Sequence, residues 1–266
     1  MLSSIPSKHF GHRCAFALVS LSLLAVQLPA QERNFRSTTF YKINPGRVGD
    51  FQAAVKEYNA VLAKASYDKP YAMWVSQTGD REYALVSYHA KLAELDMLRA
   101  DDPKLKNQQA DLTRIAARIN QCAQESRRSV GEVDKDLSLP PSKEMPKMVS
   151  VLRIHLHPDK VDEYLALVKS ELMPAVKKSG VKAYSVVRTR YGGSRAEIVS
   201  AVGVDSWADL DGMSPIVKAM GADAYQTYLK KIRPLMQDAE YNVYRYQPEL
   251  SYRPDAPGSG ATGGSR

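Results

Sequence analysis

The chain has 266 residues, of which 37 are Lys or Arg and 29 are Asp or Glu, and hydrophobic residues make up 44% of it. This length allows one large or two modest domains, and the composition excludes a fully disordered, collagen-like or polytopic membrane protein. Basic residues are spread along the chain, with Arg127-Arg128 and Lys230-Lys231 as the densest pairs, so the sequence predicts no nucleic-acid partner.

The first thirty residues have the pattern of an export signal. A basic, acid-free start precedes the apolar run Cys14 to Val26, which is too short to span a bilayer as a permanent helix. Ala30 offers a small residue for cleavage, so residues 1–30 are predicted to be a signal peptide, with an uncleaved N-terminal anchor as the alternative. We therefore expect an exported protein, periplasmic or extracellular, with no stable membrane insertion after cleavage.

The remainder of the chain repeats itself at an offset of 113 residues. The aligned identical pairs include Pro45 with Pro158, Val48 with Val161, Lys56 with Lys169, Tyr71 with Tyr184, Leu137 with Leu250 and Ser138 with Ser251. Such self-similarity indicates a duplicated module. We predict a first repeat over 37–138, a linker over 139–148, a second repeat over 149–252 and a disordered tail over 253–266.

Each repeat shows the same order of periodicities. The predicted strands are 39–43, 71–77, 82–88 and 129–133 in the first repeat, and 150–156, 183–190, 197–202 and 241–247 in the second. A helix begins at Pro45 or Pro158 after the first strand, and a second helical region covers about 91–128 or about 207–238. The order is βαββαβ, which is the ferredoxin-like plan of an antiparallel sheet with both helices on one face.

This order resembles the dimeric α+β barrel superfamily, which includes antibiotic-biosynthesis monooxygenase-like and NIPSNAP-like domains. The resemblance rests on the unit order, on the strand, proline turn and helix entry at Ile43-Asn44-Pro45, and on the tandem copy. It implies an α+β fold in which two ferredoxin-like βαββαβ units pack sheet to sheet as a pseudo-dimeric α+β barrel. Active members use the cavity between the sheets for substrate or haem, so the resemblance makes this cavity the first candidate site.

Alternation along the first strands predicts which side chains face this cavity. In the second repeat it directs Leu152, Ile154 and Leu156 to the helix face and Arg153, His155 and His157 to the bare face, where Phe40, Lys42 and Asn44 are the first-repeat equivalents. The candidate ligand-binding residues are Lys42, Trp74, His155, His157 and Arg188.

The histidines also raise the question of a metal. His155 and His157 share a strand face, and His89, with Glu82 and Glu197, could complete a set, although two imidazoles alone are not a site. We expect ordinary histidines, with no metal and no cofactor.

Two functions remain open because the sequence lacks serine-hydrolase, zincin, paired-cysteine, P-loop and dinucleotide motifs. The favoured hypothesis is an exported, bacterial-type protein, monomeric or homodimeric, that binds a small molecule between the sheets or acts as a scaffold. The alternative is a cofactor-poor monooxygenase or isomerase-like enzyme with His155 or His157 as general base. Whether the protein is an enzyme is therefore undecided.

Overall fold

The computed structural model describes residues 33–95, 102–142 and 144–254. The predicted signal peptide and residues 255–266 of the predicted tail lie outside this part of the chain. The strands are β1 (Phe35–Ile43), β2 (Ala72–Ser76), β3 (Glu82–His89), β4 (Ala123–Asp134), β5 (Met148–Leu156), β6 (Tyr184–Tyr191), β7 (Glu197–Val204) and β8 (Met236–Tyr246). The α-helices are α1 (Val48–Lys64), α2 (Gln109–Cys122), α3 (Val161–Leu167), α4 (Met173–Lys178), α5 (Pro215–Met220) and α6 (Ala222–Ile232).

The eight strands form one closed antiparallel barrel in the order β1-β3-β2-β8-β5-β7-β6-β4. Within each repeat the order is that of a ferredoxin-like sheet, and the two sheets are joined by the pairings of β2 with β8 and of β4 with β6. The predicted α+β fold, with two tandem βαββαβ units forming a pseudo-dimeric barrel, is confirmed. Closure gives every described strand a neighbour on both sides over at least part of its length, which limits edge-to-edge association.

Helices cover the outer face of the barrel, and the alternation of the strands explains why. In the second repeat, Ile154 and Leu156 are 1% exposed and pack with Val161 and Val168 from the helical segment that follows β5. The first repeat has the equivalent core around Phe51 and Leu62. Residues on the other face of the same strands point into the barrel, where Phe40, Trp74, Ala84 and Tyr244 form a smaller apolar cluster.

The last strand of each repeat is longer than the sequence pattern indicates. β4 begins at Ala123 and β8 at Met236, within the stretches predicted as helix. The early part of each strand pairs on one side only, β4 with β1 and β8 with β5, and it is largely exposed. Because both faces of these segments are polar, they lack the apolar alternation by which a strand is recognised.

The C-terminal segments of the repeats are exchanged. Leu250 and Tyr252 of the second repeat are buried in the core of the first, and Leu137 of the first repeat is buried in the core of the second. Ser251 Oγ accepts a hydrogen bond from Met73 N at 2.9 Å, and Ser138 Oγ accepts one from Val186 N at 3.0 Å. We call residues 137–139 and 250–252 the exchanged segments. Residue 139, predicted to begin the linker, is thus hydrogen-bonded to the second repeat through Leu139 N and Tyr184 O.

Among the described residues, no helix is both long and apolar enough to cross a membrane.

Candidate functional site

A cavity of about 400 Å³ opens at the end of the barrel where β1 and β5 finish, and we call it the barrel-mouth cavity. Its lining residues are Phe40, Lys42, Asp80, Glu82, Glu125, Arg127, Arg153, Glu240, Asn242 and Tyr244. Both repeats contribute to this wall. A volume of this size falls in the range of small-molecule sites, but most of the lining side chains are charged, so the cavity suits a polar ligand.

Glu82, the first residue of β3, is fully hydrogen-bonded in the cavity wall. It accepts a hydrogen bond from the Tyr244 hydroxyl at 2.6 Å and forms an ion pair with Arg127 at 3.1 Å. Burial, together with the hydrogen bond to Glu82, raises the pKa of Tyr244 above its usual range. Tyr244 therefore stays protonated at neutral pH and acts as a hydrogen-bond donor.

Arg153, in the middle of β5, lacks the hydrogen bonds that a buried guanidinium normally makes. Its Nε lies 3.7 Å from Glu197 and its Nη1 lies 3.7 Å from Glu240, both beyond hydrogen-bonding distance. The buried Nε has no acceptor among the described residues, although only a fifth of the side chain is exposed. The Phe40 ring lies 5.6 Å from the guanidinium carbon. Arg153 thus presents unused donors inside the barrel.

His155 forms a second polar cluster inside the barrel. Its Nδ1 lies 2.7 Å from Asp238 and its Nε2 lies 3.0 Å from Glu197, which also accepts a hydrogen bond from Thr189. The hydrogen bond to Asp238, with a smaller contribution from Glu197, raises the pKa of His155 against the opposing effect of burial. Two acidic partners favour the imidazolium form, which donates through both nitrogens.

Arg36 lies in the same row of inward-facing residues as this cluster. The registers pair Arg36 with Gly131 and Gly131 with Thr189, while His155 pairs with Glu197. Burial lowers the pKa of Arg36, and no carboxylate lies within ion-pair distance of it in the described part of the chain.

The structure gathers only some of the predicted site residues. Lys42 lines the barrel-mouth cavity and pairs with Asp80 at 2.6 Å. Trp74 faces the barrel interior, where its ring lies 5.2 Å from that of Tyr246, but it belongs to the apolar cluster and not to the cavity lining. His155 faces inward beside the cavity.

Two predicted placements are wrong. Arg188 points to the helix face of β6, where its guanidinium pairs with Asp162 of α3 at 3.6 Å, because it alternates with the inward-facing Val187 and Thr189. His157 follows the end of β5 and lies exposed at the start of the next helical turn, since the strand that would direct it inward stops at Leu156.

The histidines do not converge on a metal. His89 is paired with Phe35 at the start of β1, the end opposite to Lys42, and its ring contacts Ser87 and Glu94. No group of three or more His, Cys, Asp or Glu side chains in the described ranges has the geometry of a metal site.

The described lining of the barrel-mouth cavity does not fit a haem, the group that the resemblance implies for some members, because it contains no histidine and its tyrosine, Tyr244, is bound to Glu82. Of the histidines within the described ranges, His155 is the one that faces inward, and both of its ring nitrogens are held by carboxylates. The inward Tyr244 hydroxyl is bound to Glu82. Neither side chain offers a free lone pair to a haem iron, and we derive no step through this group.

Several lining residues escaped the sequence analysis. Phe40 and Arg153 were on the predicted inward face, but Glu125 and Arg127 fell in a stretch predicted as helix, and Glu240 fell between the predicted helix and the predicted last strand. The missed signal was the pairing of these stretches with β1 and β5, in which Arg127 lies opposite Phe40 and Glu240 opposite Arg153.

Comparisons with known proteins give similarity in structure. No protein-family model matches the chain, and no curated protein matches it in sequence. A candidate monooxygenase from Lactobacillus acidophilus superposes with a TM-score of 0.58 at 10% identity, covering 84% of this chain and 97% of that one. A candidate monooxygenase from Fusobacterium nucleatum gives 0.53 at 12%, covering 80% and 92%. An anthrone oxidase-like protein gives 0.50 at 13%, covering 81% and 92%.

These similarities agree with the strand order, and together they show the fold of a dimeric α+β barrel. The barrel is formed here by one chain with two repeats. Identities this low support the fold and not a reaction.

Proposed function

We propose that this is an exported protein that binds a small polar molecule in the barrel-mouth cavity. The observation that carries the proposal is Arg153, which lines a cavity of about 400 Å³ and whose guanidinium makes no hydrogen bond to a described residue. A ligand that supplies an acceptor on the cavity side of the guanidinium gains charge-assisted hydrogen bonds.

Binding can be tested by blocking the cavity from one strand. Asn242 lines the cavity, whereas the neighbouring Tyr241 lies on the other face of β8 and is 64% exposed. We expect Asn242→Trp to abolish retention of a small molecule, detected as extra mass by native mass spectrometry, and Tyr241→Trp to retain it. Equal retention in the two variants, or a ligand-free wild type that no metabolite extract stabilises against heat, would count against binding in this cavity.

Export is a separate part of the proposal, supported by the basic start, the short apolar run and Ala30. We expect the exported fraction of cells expressing the full chain to contain a protein that begins at Gln31. Full-length protein in the cytosol or the membrane pellet would contradict this expectation.

A second candidate function, the cofactor-poor monooxygenase or isomerase-like enzyme, is favoured by the Glu82 and Tyr244 pair. A carboxylate and a hydroxyl 2.6 Å apart in a cavity wall can exchange a proton with a bound substrate. Glu82 lines the cavity and accepts hydrogen bonds there, whereas His155 lies beside the cavity with both nitrogens held by carboxylates. In this case Glu82→Gln abolishes turnover while ligand retention persists; retention without turnover in the wild type favours a binding protein.

A further inference from the structure

The charges that line the barrel-mouth cavity do not balance within the protein. Lys42 is paired with Asp80, and Arg127 with Glu82. Three charged groups remain. Arg153 makes no hydrogen bond to a described residue and meets Glu240 only as an ion pair at 3.7 Å, Glu240 receives a hydrogen bond from Asn242, and Glu125 has no ion pair within the described ranges.

The Arg153 guanidinium is best matched by a negatively charged hydrogen-bond acceptor. A guanidinium binds carboxylate oxygens through a planar fork of donors, and such charge-assisted hydrogen bonds are among the strongest in proteins. The carboxylates of Glu197 and Glu240 lie at 3.7 Å and stabilise the cation without bonding to it. A ligand carboxylate facing the cavity side of Arg153 would satisfy it.

A purely anionic ligand is nevertheless a poor match. The lining carries four carboxylates, Asp80, Glu82, Glu125 and Glu240, against three cations. An anion bound to Arg153 would meet Glu240 on the adjacent strand, since the two residues lie opposite each other in the β5 and β8 pairing. A purely cationic ligand would satisfy the surplus acids but leave Arg153 without an acceptor.

We propose that the ligand is a zwitterion of the size of an amino acid or a short peptide, with its carboxylate on Arg153 and its ammonium group on Glu240 and Glu125. This inference rests on the proposed binding function and specifies its ligand class. The cavity volume of about 400 Å³ accommodates such a molecule. Its carboxylate gives Arg153 a hydrogen-bond acceptor, and its ammonium group balances the surplus carboxylate of the lining.

The test uses three matched forms of one compound. Phenylalanine, phenylalaninamide and N-acetylphenylalanine share a side chain but carry both charges, only the ammonium and only the carboxylate; alanine and glutamine are tested in the same three forms. Binding to the full mature protein is measured by calorimetry and by shifts of cavity amide resonances in NMR spectra. For at least one side chain we expect the free amino acid to bind about tenfold or more tightly than either singly charged form.

Two substitutions assign the charges to residues. Arg153→Gln is expected to remove the preference for the free acid over the amide, and Glu240→Gln the preference for the free amine over the N-acetyl form. Glu240 is more than half exposed, so its variant is expected to fold even if Arg153→Gln does not. Arg188→Gln is the matched control, because the same change on the helix face of β6 leaves all three affinities unaltered.

Each outcome decides the proposal. Discrimination that follows both variants supports it. An N-acetyl form or an amide that binds as tightly as the free acid overturns it, and so does discrimination that survives both substitutions. If no panel member binds while native mass spectrometry shows a retained molecule lost in Asn242→Trp, the zwitterion is wrong and the binding function stands. If neither is seen, both fail.

Discussion

The structure defines the charge state of His155 most closely, because Nδ1 contacts the Asp238 carboxylate and Nε2 contacts the Glu197 carboxylate. A pKa raised in the folded state means that protonation stabilises the fold. This stabilisation is fully present below the unfolded-state pKa of about 6.5 and is lost as pH rises through the folded-state pKa. A third of the side chain is exposed, so water screens the interaction and we expect about 1 kcal/mol or less.

The prediction is that His155→Gln lowers the free energy of unfolding more at about pH 6 than at about pH 9. Urea denaturation at the two pH values measures it. His157→Gln serves as the control, since His157 is exposed beyond the strand, and its effect is expected to be small and independent of pH. An equal loss at both pH values for His155→Gln would show that the carboxylates do not hold a charged imidazole.

Strand alternation in the sequence predicted the orientation of some site residues and not of others. The period of two along β1 and β5 was enough to direct Phe40, Lys42 and Arg153 to the bare face. Arg188 was misplaced because the position of the hairpin after β6 does not determine which alternate residues of the strand face the barrel interior. A polar residue close to the glycine turn can therefore be assigned to the wrong face. Gly192 in that hairpin has a φ of +76°, and a side chain there would collide with the carbonyl oxygen of Arg128.

At the level of elements, the exchanged segments couple the two repeats. Leu250 is fully buried although its own repeat provides none of the helices around it, and Tyr252 donates a hydrogen bond to Tyr67 O at 2.6 Å. We expect Leu250→Ala to cost about 2 to 5 kcal/mol, as for other buried leucines. The substitution leaves an empty space in the core of the first repeat, so amide hydrogen exchange should rise first in α1 and β2.

Leu137→Ala is the matched variant, because Leu137 belongs to the first repeat and is buried in the core of the second. Leu137 is 2% exposed within the core of the second repeat, so hydrogen exchange should rise in α3, α4 and β6 while α1 stays protected. If each substitution loosens its own repeat instead, the exchanged segments do not stabilise the fold as the packing indicates.

The helix after β5 illustrates why element boundaries are harder to predict than element types. Helical spacing from Val161 to Leu172 predicted one helix, and the structure has α3, a π-helical turn over Val168–Leu172 and then α4. Pro174 explains the interruption, because it has no N–H for the preceding turn and its ring pushes the backbone apart. The aligned position in α1 is Val61, and α1 is continuous.

At the level of the whole molecule, one chain supplies both sheets of the barrel, so the two repeats need not carry the same side chains. The offset of 113 makes Lys42 equivalent to His155 and Phe40 equivalent to Arg153, while Glu82 and Glu197 are equivalent at an offset of 115 and both face inward. The sequence could reveal this correspondence, because the two offsets differ by only two residues, which a longer hairpin in the second repeat explains. It could not reveal that residues of both repeats line one cavity, since that depends on contacts between the repeats such as the hydrogen bond from Tyr244 to Glu82.

The fold predicts that the halves recognise each other even when the chain is cut. Cleavage between Pro140 and Pro141 leaves both exchanged segments intact, and it leaves the pairings of β2 with β8 and β4 with β6 to form between fragments. We expect co-expressed fragments 31–140 and 141–266 to purify as a 1:1 complex with the mass of one barrel, whereas either fragment alone exposes two sheet edges and aggregates or self-associates.

Light scattering after size-exclusion chromatography distinguishes these states, and the uncut protein provides the reference mass. The control is the first fragment shortened to residue 136, which lacks residues 137–140, including the exchanged segment, and should bind its partner more weakly. Two fragments that fold separately and do not associate would mean that each repeat covers its own bare sheet, which contradicts a barrel closed between them.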